Sequence, residues 1–246
     1  MHRYQLLIEY VGTNFRGWQV QKKGSTIQGT IQEKLTKLLK EEIVLNGSGR
    51  TDTGVHAIGQ SAHFDCKNQI IDLLKFLKSI NYFLNKKGIA ITKIKKRDKK
   101  FHSRFSAKQR IYKYIIFNQI SAPVIDKNRG WHIRKNLDLE LMKKGAKKLI
   151  GTKDFSTFRA STCRAKSPIK TMKLVKVKSS KNRIEIEFRS QSFLQQQVRS
   201  MVGCLKYLGE KKWSLKKFED VINSKKRSLC APPAPPEGLY LFIVIY

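Results

Sequence analysis

The chain has 246 residues, 40% of them hydrophobic, so it can bury a core without disulfides or metals. Lysine and arginine total 51 against 18 aspartates and glutamates, a net charge of +33. This charge favours polyanionic partners, nucleic acid before an anionic membrane surface. No apolar run approaches the roughly 18 residues of a membrane span or forms a signal peptide. We therefore expect a soluble cytoplasmic protein, no membrane partner and four reduced cysteines.

The first half predicts strands separated by two helices. Alternation and helical spacing predict a strand at 4–10, a helix from a capping box at Ser25 to about 40, a strand at 58–64, a helix at 70–84 and a strand at 89–94. Glycines at 47 and 49 break the chain after a short apolar run. This half is therefore mixed in structure.

The second half repeats that style. The patterns predict a strand at 110–118, a helix at 138–150, a hairpin of strands 172–177 and 184–188, an apolar helix stripe from Leu194 to Leu208, a helix at 215–222 and a strand at 239–245. Paired prolines force an extended loop before the last strand. We predict the α+β class, with two similar halves as domains 1–105 and 106–246.

The segment with the clearest chemistry is a polar loop between two apolar strands. Glycines at 47, 49 and 54 permit unusual backbone geometry and close approach to a ligand. Asp52 lies beside Arg50, and a carboxylate with a cation next to it stays ionised, as a nucleophile must. The residues equally allow a surface turn in which Asp52 accepts backbone N–H bonds.

Other site types fit this loop poorly. A dinucleotide-binding pattern begins at Gly47 but has Asp52 at its third glycine, and no nucleotide-triphosphate loop occurs anywhere. His56, His63 and Cys66 match no common zinc spacing, so core or surface roles are favoured. We expect neither a metal nor a nucleotide cofactor.

Six segments, in order, resemble the tRNA pseudouridine synthase A family. The loop Gly49–Ala57 resembles the family pattern G-R-T-D-x-G-V-H-A. The other five are similar to G-W-Q-x-Q, F-H-A-R-F-S-A, R-x-Y-x-Y, M-V-R-x-x-V-G and A-P-P-x-G-L, at Gly17–Gln21, Phe101–Ala107, Arg110–Tyr114, Gln197–Gly203 and Ala234–Leu239. The sequence departs from the family at Val11, in place of aspartate, and at Gln197, in place of methionine.

The resemblance implies a fold and a set of roles. The fold would be two α/β halves, with mostly antiparallel sheets, that meet at a basic cleft. Asp52 would be the catalytic nucleophile, Arg199 its ion-pair partner, Tyr112 a ring stacked on the target base, and Arg50 a wedge or phosphate contact. Read without the resemblance, Tyr112 is a half-buried strand residue and Arg199 an exposed helix residue.

The resemblance also implies a substrate and an assembly. The targets would be uridines 38, 39 and 40 in the anticodon stem-loop of tRNA, modified by a homodimer without a cofactor or metal. An alternative is a non-catalytic RNA-binding or ribosome assembly protein, which the charge supports equally well. A tRNA methyltransferase is disfavoured because no glycine-rich cofactor loop is present.

Overall fold

A computed structural model describes all residues from 1 to 246. It contains ten strands and five α-helices. The strands are β1 (His2–Tyr10), β2 (Asn46–Gly47), β3 (His56–Cys66), β4 (Ile89–Arg97), β5 (Gln109–Asn118), β6 (Trp131–Ile133), β7 (Gly151–Asp154), β8 (Ile169–Ser180), β9 (Arg183–Ser190) and β10 (Leu239–Ile245). The helices are α1 (Ile27–Leu39), α2 (Leu73–Leu84), α3 (Leu139–Lys148), α4 (Gln197–Gly209) and α5 (Leu215–Asn223).

The chain packs as two compact units. The first comprises residues 1–108 and 240–246, and the second comprises residues 109–239. The predicted domains, 1–105 and 106–246, differ from these units chiefly at the C-terminus. Residues 240–246 pack with the first unit because β10 pairs in parallel with β3 through Tyr240 and Leu241. The α+β class with mostly antiparallel pairing is confirmed.

In the first unit the sheet order is β4, β1, β3 and β10, with β2 paired to β3. The strands β4, β1 and β3 are antiparallel neighbours. The core is built from strand residues such as Leu6 and Ile8 and from the α1 residues Ile31 and Leu35, all 0% exposed. This sheet carries the loop that precedes β3.

The first helix begins one residue later than the predicted capping box. Its N-cap is Thr26, whose hydroxyl accepts from the Gly29 N–H at 3.2 Å, and not Ser25. In a capping box the side-chain oxygen of Gln28 would accept from the Ser25 N–H, but here it accepts from the Val20 N–H at 3.2 Å, and the side-chain amide donates to the Leu45 carbonyl at 2.8 Å. Hydrogen bonds to residues outside the helix therefore replace the predicted box.

In the second unit the sheet order is β5, β9, β8 and β7, with β6 parallel to β5. The predicted hairpin is confirmed, with β8 and β9 joined at Lys181 and Asn182. Both faces of β5 are covered, because Tyr112 and Ile111 on opposite faces are both buried.

All four cysteines are free, and α4 brings the sulfur of Cys204 to 3.4 Å from that of Cys230. None of the helices has the length and apolar content needed to cross a bilayer.

Candidate active site

The loop that carries Asp52 connects β2 to β3 and is hydrogen-bonded to β3. The Ser48 N–H donates to the Ser61 carbonyl at 2.7 Å. The fully buried Gln60 accepts from the Ser48 hydroxyl at 2.7 Å and donates its amide to the Gly49 carbonyl at 2.8 Å. One strand glutamine therefore satisfies polar groups of two adjacent loop residues, as buried polar atoms require.

The N-terminal segment fixes the other side of the loop. The Trp18 N–H donates to the Thr51 carbonyl at 3.1 Å, and the hydroxyls of Thr51 and Tyr10 lie 2.8 Å apart within hydrogen-bonding distance. Gly17 has φ +80°, and a Cβ there would lie 2.5 Å from the Thr51 carbonyl oxygen. Only glycine allows this approach, so the backbone immediately before Asp52 is held against residues 17 and 18.

Asp52 is half-buried and Arg50 is exposed. A turn follows Asp52, in which its carbonyl accepts from the Val55 N–H at 3.2 Å and Gly54 takes φ +79°. The result is a partly accessible carboxylate on a backbone held from two sides. Such a group can approach a substrate without the entropic cost of ordering a mobile loop.

His56 closes the loop as a structural residue. It is 1% exposed, its Nδ1 accepts from the Gly12 N–H at 3.0 Å, and its ring stacks on Tyr240 with centroids 4.8 Å apart. The sequence allowed a core or a surface position for this histidine, and the structure shows a core position. No group of three or more His, Cys, Asp or Glu side chains has the geometry to hold a metal ion.

Tyr112 lies in the second unit, on β5 opposite Phe188. It is 8% exposed, and its ring meets Phe193 edge-on with centroids 5.0 Å apart. Tyr112 is therefore less exposed than the half-buried strand residue that the sequence predicts without the resemblance. Its neighbour Tyr114 is structural: its hydroxyl donates to the Pro235 carbonyl at 2.8 Å, and burial raises its pKa well above the usual value.

Arg199 is also in the second unit, half-buried on α4. Its Nε donates to the Ala234 carbonyl at 2.7 Å, and the Ala234 N–H donates to the Arg199 carbonyl at 2.9 Å. A Cβ at Gly203 would lie 2.1 Å from the Pro232 carbonyl oxygen, so α4 and the proline-rich segment are in close contact. Asp52 and Arg199 belong to different units, and their ion pair stays a prediction.

We expect Arg199→Ala to lower the free energy of unfolding by about 1.5–3 kcal/mol, since a charged donor to a backbone carbonyl is lost. Urea denaturation measures this change. A lysine at 199 has no planar Nε to place at the same carbonyl, so Arg199→Lys should recover little of the loss. An unchanged unfolding free energy in Arg199→Ala would contradict the anchoring role.

The departure from the family pattern at Gln197 has a structural explanation. Gln197 is the first residue of α4 and is 0% exposed. Its Oε1 accepts from the Leu194 N–H at 2.7 Å, a bond that a methionine could not make well. Because the side chain points into the second unit, this departure does not alter a surface that RNA could touch.

The mostly antiparallel α+β architecture is consistent with the pseudouridine synthase class of isomerases. A family model described as tRNA pseudouridine synthase matches residues 6–106 and 146–246. The chain therefore belongs to the tRNA pseudouridine synthase family and is an isomerase.

Full-length relatives agree with this assignment. The chain is 72% identical to tRNA pseudouridine synthase A of Pelagibacter ubique (strain HTCC1062), and the match covers 100% of both chains. It is 43% identical to the protein of the same name in Paramagnetospirillum magneticum (strain AMB-1), covering 100% of this chain and 96% of that one. Identity to the Parvibaculum lavamentivorans protein of that name is 40%, over 100% of both chains.

Proposed function

We propose that this isomerase converts uridine to pseudouridine in the anticodon stem-loop of tRNA, at positions 38, 39 and 40, with Asp52 as the catalytic carboxylate. The observation that carries the proposal is the setting of Asp52. It is the half-buried acid of a loop whose backbone is held by Gln60 on one side and by Gly17 and Trp18 on the other. An ionised carboxylate in a fixed and accessible position is what the chemistry needs.

The reaction rearranges bonds within one nucleotide. The bond from N1 of uracil to C1′ of ribose breaks, the base turns, and a bond forms from C5 to C1′. The proton on C5 is lost and N1 gains one, so no water, oxidant or reductant is consumed. A hydrolytic glycosidase needs two carboxylates and a water, whereas this isomerisation needs one carboxylate. Asp52 would act by attack at C1′, by attack at C6 or by assisting deprotonation.

The remaining site residues take supporting roles in this proposal. Exposed Arg50, two residues from Asp52, would contact a phosphate or occupy the place of the extruded base. Tyr112 would stack on the target uracil. Arg199 would pair with Asp52 and hold it ionised; its anchored Nε fixes the guanidinium direction, as such a pairing requires.

The target uridine must leave its stack to reach a carboxylate. Extrusion costs a few kcal/mol and least where pairing is weak, as at the lower end of the anticodon stem and the adjoining loop. The charge of +33 would draw the polyanionic tRNA to the protein. We propose that the enzyme works in the cytoplasm as a homodimer.

The test is tritium release from tRNA that carries label at uridine C5. Wild-type protein should release tritium, because isomerisation removes that hydrogen. A tRNA with cytidine at positions 38, 39 and 40 should release none, and Asp52→Ala should release none from the normal tRNA while still binding it. Release from the cytidine-substituted tRNA would refute the proposed target positions.

A non-catalytic RNA-binding protein makes the opposite prediction. It would bind tRNA with steep salt dependence and release no tritium in any variant. Equal release by wild type and Asp52→Ala would leave an isomerase but remove Asp52 from its mechanism.

A further inference from the structure

Phe105 lies on the surface with its ring in solvent. It is 75% exposed, its ring centroid is 4.4 Å from that of His102, and the Arg104 guanidinium carbon lies 5.6 Å from the ring. Single exposed apolar residues are ordinary on protein surfaces. The exposure of Phe105 therefore indicates a binding role only if the turn that carries it is suited to binding.

That turn, residues 102–106, is internally cross-linked. The His102 N–H donates to the Ser106 hydroxyl and the Ser106 N–H donates to the His102 carbonyl, both at 2.9 Å. The N–H groups of Arg104 and Phe105 point at His102 Nδ1, at 3.1 Å and 3.4 Å. The ring of Phe105 is thus presented outward by a rigid turn, and binding a partner would cost little ordering entropy.

The turn is also fastened to the start of the catalytic segment. The Ser103 hydroxyl donates to the Asn46 carbonyl at 2.5 Å, and the Ser103 N–H donates to His63 Nδ1 at 3.2 Å. Burial lowers the pKa of His63 to about 4, so the ring is uncharged at neutral pH, and the Ser103 N–H that points at Nδ1 makes this nitrogen the acceptor. From His63 to His56, next to the Asp52 loop, β3 extends about 23 Å at roughly 3.3 Å per residue.

The surroundings of the turn are basic. Residues 99–108 contain four cations and no acid, and all four cations are exposed: Lys99, Lys100, Arg104 and Lys108. Unpaired nucleic acid is bound by aromatic rings on which bases stack, together with cations that follow the phosphates. The turn offers both groups in one rigid element.

We propose that Phe105, flanked by Arg104, is a stacking site for an unpaired base of the tRNA other than the target uridine. The separation along β3 makes it a second contact point, remote from Asp52, on the same unit of the protein. This stacking proposal rests on the proposed function only in taking tRNA as the bound RNA. The contact would set the position of the RNA and take no part in bond breaking.

The test measures tRNA affinity in an Asp52→Ala background, where no turnover occurs. We expect Phe105→Ala to raise the Kd about tenfold, within the range measured for loss of one base–aromatic stack. Phe105→Trp should retain affinity because indole also stacks, whereas Phe105→Leu should behave like Phe105→Ala. Leucine thus separates stacking from general apolar contact.

Tyr82→Ala is the matched control. Tyr82 is 65% exposed and has the Lys86 ammonium 4.9 Å from its ring centroid, so it has the same chemistry as the pair at 104 and 105. Its position differs: it lies on α2, which is bonded through Asn81 to Ile91 on the outer strand β4, and β1 separates β4 from β3 and the Asp52 loop. Its loss should leave the Kd unchanged.

An unchanged Kd in Phe105→Ala would overturn the proposal. A change in molar mass by light scattering with unchanged Kd would also overturn it, since Phe105 would then lie between copies of the chain. Because the measurement is of binding alone, tritium release by Asp52→Ala would refute the catalytic role of Asp52 without affecting this result.

Discussion

Asp52→Asn is expected to lower the single-turnover rate of tritium release by about 10³-fold or more while the protein folds normally. Asparagine has nearly the same shape as aspartate but carries no charge and cannot act as a nucleophile at carbon or as a base. The loop backbone should stay in place, because the substitution leaves the hydrogen bonds from Gln60 and Trp18 intact. Urea denaturation should therefore still show a cooperatively folded protein.

Asp52→Glu separates charge from position. Glutamate keeps the carboxylate but moves it outward by one methylene group. Because the backbone is clamped, the loop cannot retreat to compensate, and a misplacement of about 1 Å costs about 10²-fold in rate. We therefore expect Asp52→Glu to be slow but faster than Asp52→Asn. If both variants kept the wild-type rate, the carboxylate would have no part in the chemistry.

The sequence predicts the periodic elements well because their signal is local. The strand predicted at 239–245 matches β10, and the hairpin of β8 and β9 lies where alternation and turn residues predict it. The short strands β2, β6 and β7 were not predicted, since two to four residues are too few to show a period. They form because a neighbouring strand supplies hydrogen-bond partners.

The candidate site is likewise predicted only in part from the sequence. The motif identifies Asp52 and Arg50, but nothing local indicates that Gly17 lies against the Thr51 carbonyl or that Gln60 holds Gly49. Residues 17 and 51 are far apart along the chain, and periodicity carries no information about such contacts. The same holds for Arg199 and the Ala234 carbonyl. The residues that position the site are therefore visible only in the folded chain.

Gly17→Ala should impair both stability and catalysis. An alanine at φ +80° is strained by roughly 1–2 kcal/mol. Its Cβ would also lie 2.5 Å from the Thr51 carbonyl oxygen and 3.1 Å from the Asp52 carbonyl carbon. Both are backbone atoms that cannot rotate away, so the loop that carries Asp52 must move. We expect about a 10²-fold loss of the single-turnover rate at saturating protein.

Gly88→Ala is the control that separates strain from displacement. Gly88 has φ +71°, but a Cβ there would meet nothing closer than the Val11 Cβ at 3.6 Å, an ordinary contact. It should therefore lose roughly 1–2 kcal/mol of unfolding free energy, as measured in urea, and keep its rate. Gly17→Ala should lose more stability than Gly88→Ala and should alone lose activity. Equal stability losses with equal rates would mean that the approach of residue 17 to the loop does not hold Asp52 in place. The rate difference between the two variants thus measures how much of the catalysis depends on a clamped backbone and not on the carboxylate alone.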